Sequence, residues 1–211
     1  PLLLPELAVT ITGDTKALDH GTTLSGLVLR ALALRAGTAR PRGAEERRAL
    51  WESCDVVPDD LASRVLVLNL PARGQGLGEW LSGAARHAVP FHVTLHQLVH
   101  LPVTVEEPTV YVCENPAVLR RAAGELGTEA APLICTEGRP SAAFHRLASA
   151  IVAGGGELLY HGDFDWPGTA IARQVIERHS ARPWRMSERD YRGSVREDGR
   201  PLDGEARPTP W

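Results

Sequence analysis

Residues 107–186 predict an α/β fold, a mainly parallel, Rossmann-like sheet flanked by helices, preceded by an N-terminal α/β extension. Short β-leaning apolar runs recur at 109–113, 131–135 and 157–160. Each is followed by a stretch of helical period at 116–126, 140–152 and 167–179. Strands alternating with helices at this spacing need crossover connections, and right-handed crossovers put the strand carboxyl ends on one edge.

The elements follow in chain order. Thr22 and Thr23 can cap a helix over 24–35 that Gly37 stops. Leu24, Leu27, Val28, Leu29, Leu32 and Leu34 cover most of its circumference, so deep burial is expected. The charged segment 40–48 runs into Ala49-Leu50-Trp51 as a second helix, and Pro58-Asp59-Asp60 is a break. The continuous apolar run at 65–70 suits a buried parallel strand. The glycine-rich turn 74–78 leads to a helix near 79–88; it lacks the Lys-Ser/Thr of a P-loop and the spacing of a dinucleotide fingerprint. Residues 90–95 read as extended and 95–100 as a short helical turn.

Asn115 and Pro116 form a cap and first-turn pair for the next helix, whose apolar face is Val118, Leu119, Ala122, Ala123 and Leu126. In 140–152 the inward residues are Phe144, Leu147, Ala148, Ile151 and Val152, with His145 on the solvated side. Residues 183–186 read as a short fourth strand. The segment after Tyr191 is rich in glycine, proline and charge and reads as loop or disorder. The domain reading is therefore an extension over 1–104 packed on the sheet, the sheet domain over 105–190, and a loop-rich tail over 191–211.

Composition narrows the function classes. With 43% hydrophobic and 23% charged residues in 211, the chain reads as a globular protein. No apolar run reaches membrane-spanning length, and the start lacks a signal-peptide pattern. A cytoplasmic protein is expected. The net charge of −3 gives no bulk nucleic-acid signature, so DNA binding must rest on a local patch or a bridging metal. Lys16 is the only lysine among 23 basic residues, and the arginines suit bidentate phosphate contacts. Cys54, Cys113 and Cys135 have no CxxC spacing; Cys113 and Cys135 fall in strands and read as buried thiols of a reducing compartment.

The chemistry concentrates in His161-Gly162-Asp163-Phe164-Asp165-Trp166-Pro167-Gly168. Residues two apart on an extended chain face the same way, so Asp163 and Asp165 are expected to project together from a strand end. Two adjacent carboxylates repel unless a cation lies between them, and oxygen donors suit Mg²⁺ or Mn²⁺. Two other loops leave the same edge, one from Glu114 and one over Thr136-Glu137-Gly138-Arg139-Pro140. Ligands of open parallel sheets bind there. Glu114, Asp163 and Asp165 thus form a candidate cage for phosphodiester chemistry, in which a metal polarises phosphate and activates water, or a lone carboxylate acts as general base. Glu137 is either a fourth acidic ligand or a loop residue. Arg139 is either a phosphate contact or an exposed helix-start arginine. His161 neighbours the acidic pair and is a candidate support for it. Gly168 admits close approach of the third helix. His92, His96 and His100 are spaced by four, but the β-leaning 91–95 takes His92 off a shared helical face, and no cysteine pair completes a zinc site.

The order Val-Tyr-Val-Cys-Glu114, Ile-Cys-Thr-Glu-Gly-Arg-Pro and Tyr-His-Gly-Asp163-Phe-Asp165-Trp-Pro-Gly168 resembles a Toprim domain. The variant here resembles the topoisomerase VI A-subunit branch. Cys113-Glu114-Asn115-Pro116 and the run 161–168 are similar to the DUF2399 C-terminal domains of JetD subunits in Wadjet-type plasmid-defence systems. The resemblance extends through Thr12-Gly13-Asp14, Ala17-Leu18-Asp19 and 59–63. It implies catalytic and metal roles for Glu114, Asp163 and Asp165. It also implies DNA as substrate, SMC-like and kleisin-like partner subunits and a homodimer in the full-length protein. The chain does not begin with Met, and an N-terminal DNA-binding and dimerisation arm is expected outside it. A topoisomerase-like transesterase needs a nucleophilic tyrosine; Tyr111 and Tyr160 lie inside strands and Tyr191 beyond the sheet, which favours hydrolysis. The competing reading is a non-catalytic DNA-binding scaffold.

Overall fold

The computed structural model describes residues 2–194, and contacts divide the chain into two compact units, Pro1–Ser63 and Arg64–Trp211. The first unit contains β1 (Leu2–Leu3), α1 (Leu4–Thr12), α2 (Thr23–Arg35), α3 (Ala44–Glu52) and β2 (Val56–Val57), with β1 and β2 paired in parallel. Thr22 caps α2 by accepting from the Ser25 amide at 3.1 Å. Leu4, Ala8, Leu29, Ala33, Leu50 and Trp51 form its core. The expectation of a deeply buried α2 is corrected: Ser25, Leu29 and Ala33 turn inward, while Leu27 and Leu34 stay 61% and 74% exposed. Too little chain surrounds this helix to cover an all-round apolar surface.

The second unit holds β3 (Arg64–Leu68), α4 (Leu77–Arg86), β4 (Phe91–Thr94), α5 (Leu95–His100), β5 (Thr109–Cys113) and α6 (Pro116–Leu126), then β6 (Leu133–Cys135), α7 (Ala142–Ala153), β7 (Glu157–His161), α8 (Trp166–His179), β8 (Arg182–Pro183) and α9 (Glu188–Ser194). The sheet order is β4-β3-β6-β5-β7-β8. β6, β5, β7 and β8 run parallel, as expected for an α/β fold with a mostly parallel sheet. β3 is antiparallel to both its neighbours, which corrects its parallel reading. Its apolar run reports burial on two faces, and burial carries no strand direction.

β3 and β4 are strands of this same sheet, so the compact units part at 63/64 rather than at the expected 104/105. Helices cover both faces. Leu66, Leu68, Cys113 and Cys135 form one cluster with Leu119 of α6. Alternate residues of the strands, Val67, Val112 and Ile134, point the other way.

Two helix faces differ from the helical-period reading. In α6, Leu119 is buried and Ala122 and Ala123 pack, while Val118 and Leu126 are exposed. In α7, Val152 is exposed and His145 is buried. α8 packs where His145 points, so a polar residue lands inside. The tail reading is corrected at 191–194, which belong to α9; residues 195–211 lie outside the described part. Among the described residues no helix is long and apolar enough to cross a membrane.

Candidate functional site

After β5 the chain passes to β6, and after β7 it passes to β8, on the opposite side. A crevice therefore opens at the carboxyl ends of β5 and β7, where ligands of parallel sheets bind. Cys113 is the register partner of His161, so the next residues, Glu114 and Gly162, stand side by side.

Glu114 is held by the other two loops and by the end of β6. Its carbonyl accepts from the Gly138 amide at 3.4 Å and from Cys135 Sγ at 3.3 Å. Its Oε2 accepts a long bond, 3.5 Å, from the Asp163 amide. Burial pushes the Glu114 carboxyl above its ordinary range; the Asp163 amide opposes this, and the charges of Asp163 and Asp165 add to it. The three carboxylates thus share one electrostatic neighbourhood.

The aspartates do not project as a strand pair, which corrects that expectation. β7 ends at His161, and Asp165 is the N-cap of α8. Its Oδ1 accepts from the Gly168 amide at 2.6 Å, while Asp163 stays exposed. A helix cap fixes Asp165 more firmly than strand alternation would. Gly168 has no room for a side chain: a Cβ there would overlap the Asp163 carbonyl oxygen and lie 2.9 Å from Asp165 Oδ1. Its close-approach role is therefore to fold the aspartate loop onto α8.

Among the described residues no three His, Cys, Asp or Glu side chains stand ready to ligate a metal together. The donor chemistry nevertheless fits a hard cation, being three carboxylate side chains at one sheet edge. A buried polar atom supports this. Tyr160 is fully buried, and its Oη has no hydrogen-bond partner among the described residues. Burial pushes the phenol's pKa up, and the charges of Glu114 and Asp163 push the same way. Thr136 Oγ1, in the second loop, is likewise buried without a partner.

Glu137 is drawn away from this group. Its backbone adopts φ 55°, and its Oε2 meets His92 Nε2 at 3.2 Å and Arg64 Nε at 3.9 Å. His92 and Arg64 were not selected from sequence as partners of the site. Their signal is the antiparallel register of β3 and β4, which residue type alone does not carry. Arg139 is exposed. His161 Nδ1 bonds the Trp184 carbonyl at 3.0 Å, and its ring meets Phe164 edge-on. His96 and His100 pack ring against ring on α5, apart from His92 on β4. A separate open depression of about 560 Å³ lies beside Ala72–Gln75 and α4. It sits beyond the far end of β3, at the opposite edge of the sheet from the carboxylates.

Residues 91–211 match the family described as "Protein of unknown function C-terminus (DUF2399)". The chain belongs to this family. Residues 1–72 also match the "Protein of unknown function N-terminus (DUF3323)". No curated protein matches the chain. In this DUF2399 chain the matched region contains β4 through α9, and with them Glu114, Asp163 and Asp165.

Proposed function

We propose that this DUF2399 chain is the Mg²⁺-dependent DNA endonuclease subunit of an SMC-like, Wadjet-type plasmid-defence complex. The observation that carries the reading is the meeting of Glu114, at the end of β5, with the Asp163–Asp165 loop after β7 in the crevice between the two strands. The sequence resemblance to Toprim domains and JetD subunits supplies the substrate, the SMC-like and kleisin-like partners and the dimer.

Glu114, Asp163 and Asp165 would hold Mg²⁺ or Mn²⁺. The bound cation would neutralise phosphate charge and lower the pKa of the attacking water. The protein's part is orientation. Gly138 and Cys135 fix the Glu114 backbone, and the α8 cap fixes the Asp165 carboxylate through Oδ1, from which Asp165 would help hold the cation. Arg139 would contact the DNA backbone, and His161, bonded to Trp184, would support the loop beneath Phe164. A cytoplasmic site of action follows from the proposed partners.

The test is incubation of the complete complex with circular plasmid and Mg²⁺. Glu114→Ala and Asp163→Ala should each cut at least about 100-fold more slowly than the parent. Parental cutting by either variant rejects the nuclease reading and favours a DNA-binding scaffold.

One observation favours a transesterase as second reading. The Tyr191 ring packs against Phe164, between the two aspartates, with centroids 5.4 Å apart. A DNA end covalently linked to the protein would establish that reaction; free 5′-phosphate ends alone would remove it.

A further inference from the structure

Gly162 occupies a position where a side chain would press on two oxygens, one carried by β7 and the other by the residue that follows β5. A Cβ there would lie 2.8 Å from Tyr160 Oη and 3.1 Å from Glu114 Oε2. The phenol and the carboxylate therefore border the same small gap at the floor of the crevice. Tyr160 is fully buried on β7, and its Oη is one of the few buried side-chain oxygens left without a partner among the described residues. A buried hydroxyl without a hydrogen bond is costly, and phenylalanine would fill the same space without that cost. The other contact of Glu114 Oε2 is a 3.5 Å approach by the Asp163 amide, at the outer limit of a hydrogen bond. Donor and acceptor are thus each incompletely satisfied, and they flank one point, 2.8 and 3.1 Å from where a Gly162 Cβ would lie.

We propose that Tyr160 is the positioning residue of Glu114: when the site takes up a divalent cation, the Tyr160 hydroxyl donates to the Glu114 carboxylate oxygen turned away from the cation. This inference rests on the metal-site reading above. A carboxylate that ligates through one oxygen needs a donor on the other to hold its plane, and such outer partners govern metal affinity. Gly162 keeps the space open for that contact.

The experiment measures Mn²⁺ alone, by electron paramagnetic resonance, on the full chain without DNA, together with melting temperatures with and without Mn²⁺. Tyr160→Phe should bind Mn²⁺ about 10- to 100-fold more weakly than the parent while melting no lower in its absence. Gly162→Ala, which crowds the same two oxygens, should also weaken binding, and Asp163→Ala should abolish it. Parental Mn²⁺ affinity in Tyr160→Phe overturns the positioning role and leaves the metal site standing. A metal-free melting point lowered by more than about 4 °C also overturns it, because the hydroxyl would then have a structural partner. Absence of Mn²⁺ binding by the parent overturns both the metal site and the inference.

Discussion

The imidazoles of His145 on α7 and His179 on α8 meet at 2.8 Å, Nδ1 to Nε2, stacked and buried beside Phe144. One ring must donate and the other accept, so the accepting imidazole must be neutral. Burial, and after it the nearby Arg178 charge, bring the His145 pKa down to about 3 and that of His179 to about 4, with the His179 charge adding to the lowering at His145.

The sign of the pH dependence follows. Both folded-state values lie below the unfolded value of 6.5, so below that pH the unfolded chain binds protons that the folded chain refuses. Stability is fully present above pH 6.5 and falls as the pH drops toward 4. Between pH 6.5 and 5 the loss should reach at most about 2 kcal/mol for each imidazole. Denaturant titrations over this range check it. A His145→Leu/His179→Leu double variant should show a flatter slope than the parent.

Asp165 caps α8, and under the proposed metal site it would also ligate the cation. Asn caps a helix as well as Asp, so Asp165→Asn should keep the parental melting temperature and still lose Mn²⁺ affinity. Asp165→Ala should lose the affinity and about 1 kcal/mol of stability as well. Melting curves and Mn²⁺ titration of the two variants distinguish the cap from the ligand.

Gly168→Ala should destabilise by about 2 kcal/mol or more, because its Cβ would overlap the Asp163 carbonyl and press on Asp165. Gly124→Ala in α6 provides the contrast. Its Cβ would meet nothing within 4 Å, and the change should stabilise by about 0.5–1 kcal/mol. Chemical denaturation of both variants tests the difference.

Asn69 joins the end of β3 to the turn before β6. Its amide donates to the Gly127 and Ala130 carbonyls at 2.8 and 2.9 Å, with a backbone φ of 48°. Asn69→Ala takes the Asn69 donor from the Ala130 carbonyl, leaves the Gly127 carbonyl with the Ala130 amide alone, and strains the backbone, at a cost of about 2–3 kcal/mol. Asn69→Gly relieves only the strain and should remain well below the parent in thermal unfolding.

The local rules legible in the sequence were those that act over a few residues. Asn115 accepts from the Ala117 amide as the cap of α6, Pro116 follows it, and Phe144, Leu147 and Ile151 turn inward on α7. Cys113 and Cys135 are buried thiols. Glu114 and the aspartate run could be singled out because a strand end and a following cap leave marks in local sequence. Faces that depend on a distant neighbour were not legible. His145 is polar and reads as solvated until α8 brings His179 against it.

Already written in the chain are the alternation of strands and helices, the capping of α2 and α6, and which carboxylates end β5 and follow β7. Propensity, hydrophobic period and cap chemistry are local, and they survive in the chain whatever its neighbours do. Contacts between distant segments set the antiparallel direction of β3 and the turn of Glu137 to His92 and Arg64. Such long-range contacts also bring Tyr160 Oη and Glu114 Oε2 both close to Gly162. Strand direction and cross-strand neighbours are set by pairing between distant segments, and no local pattern records which segment will arrive.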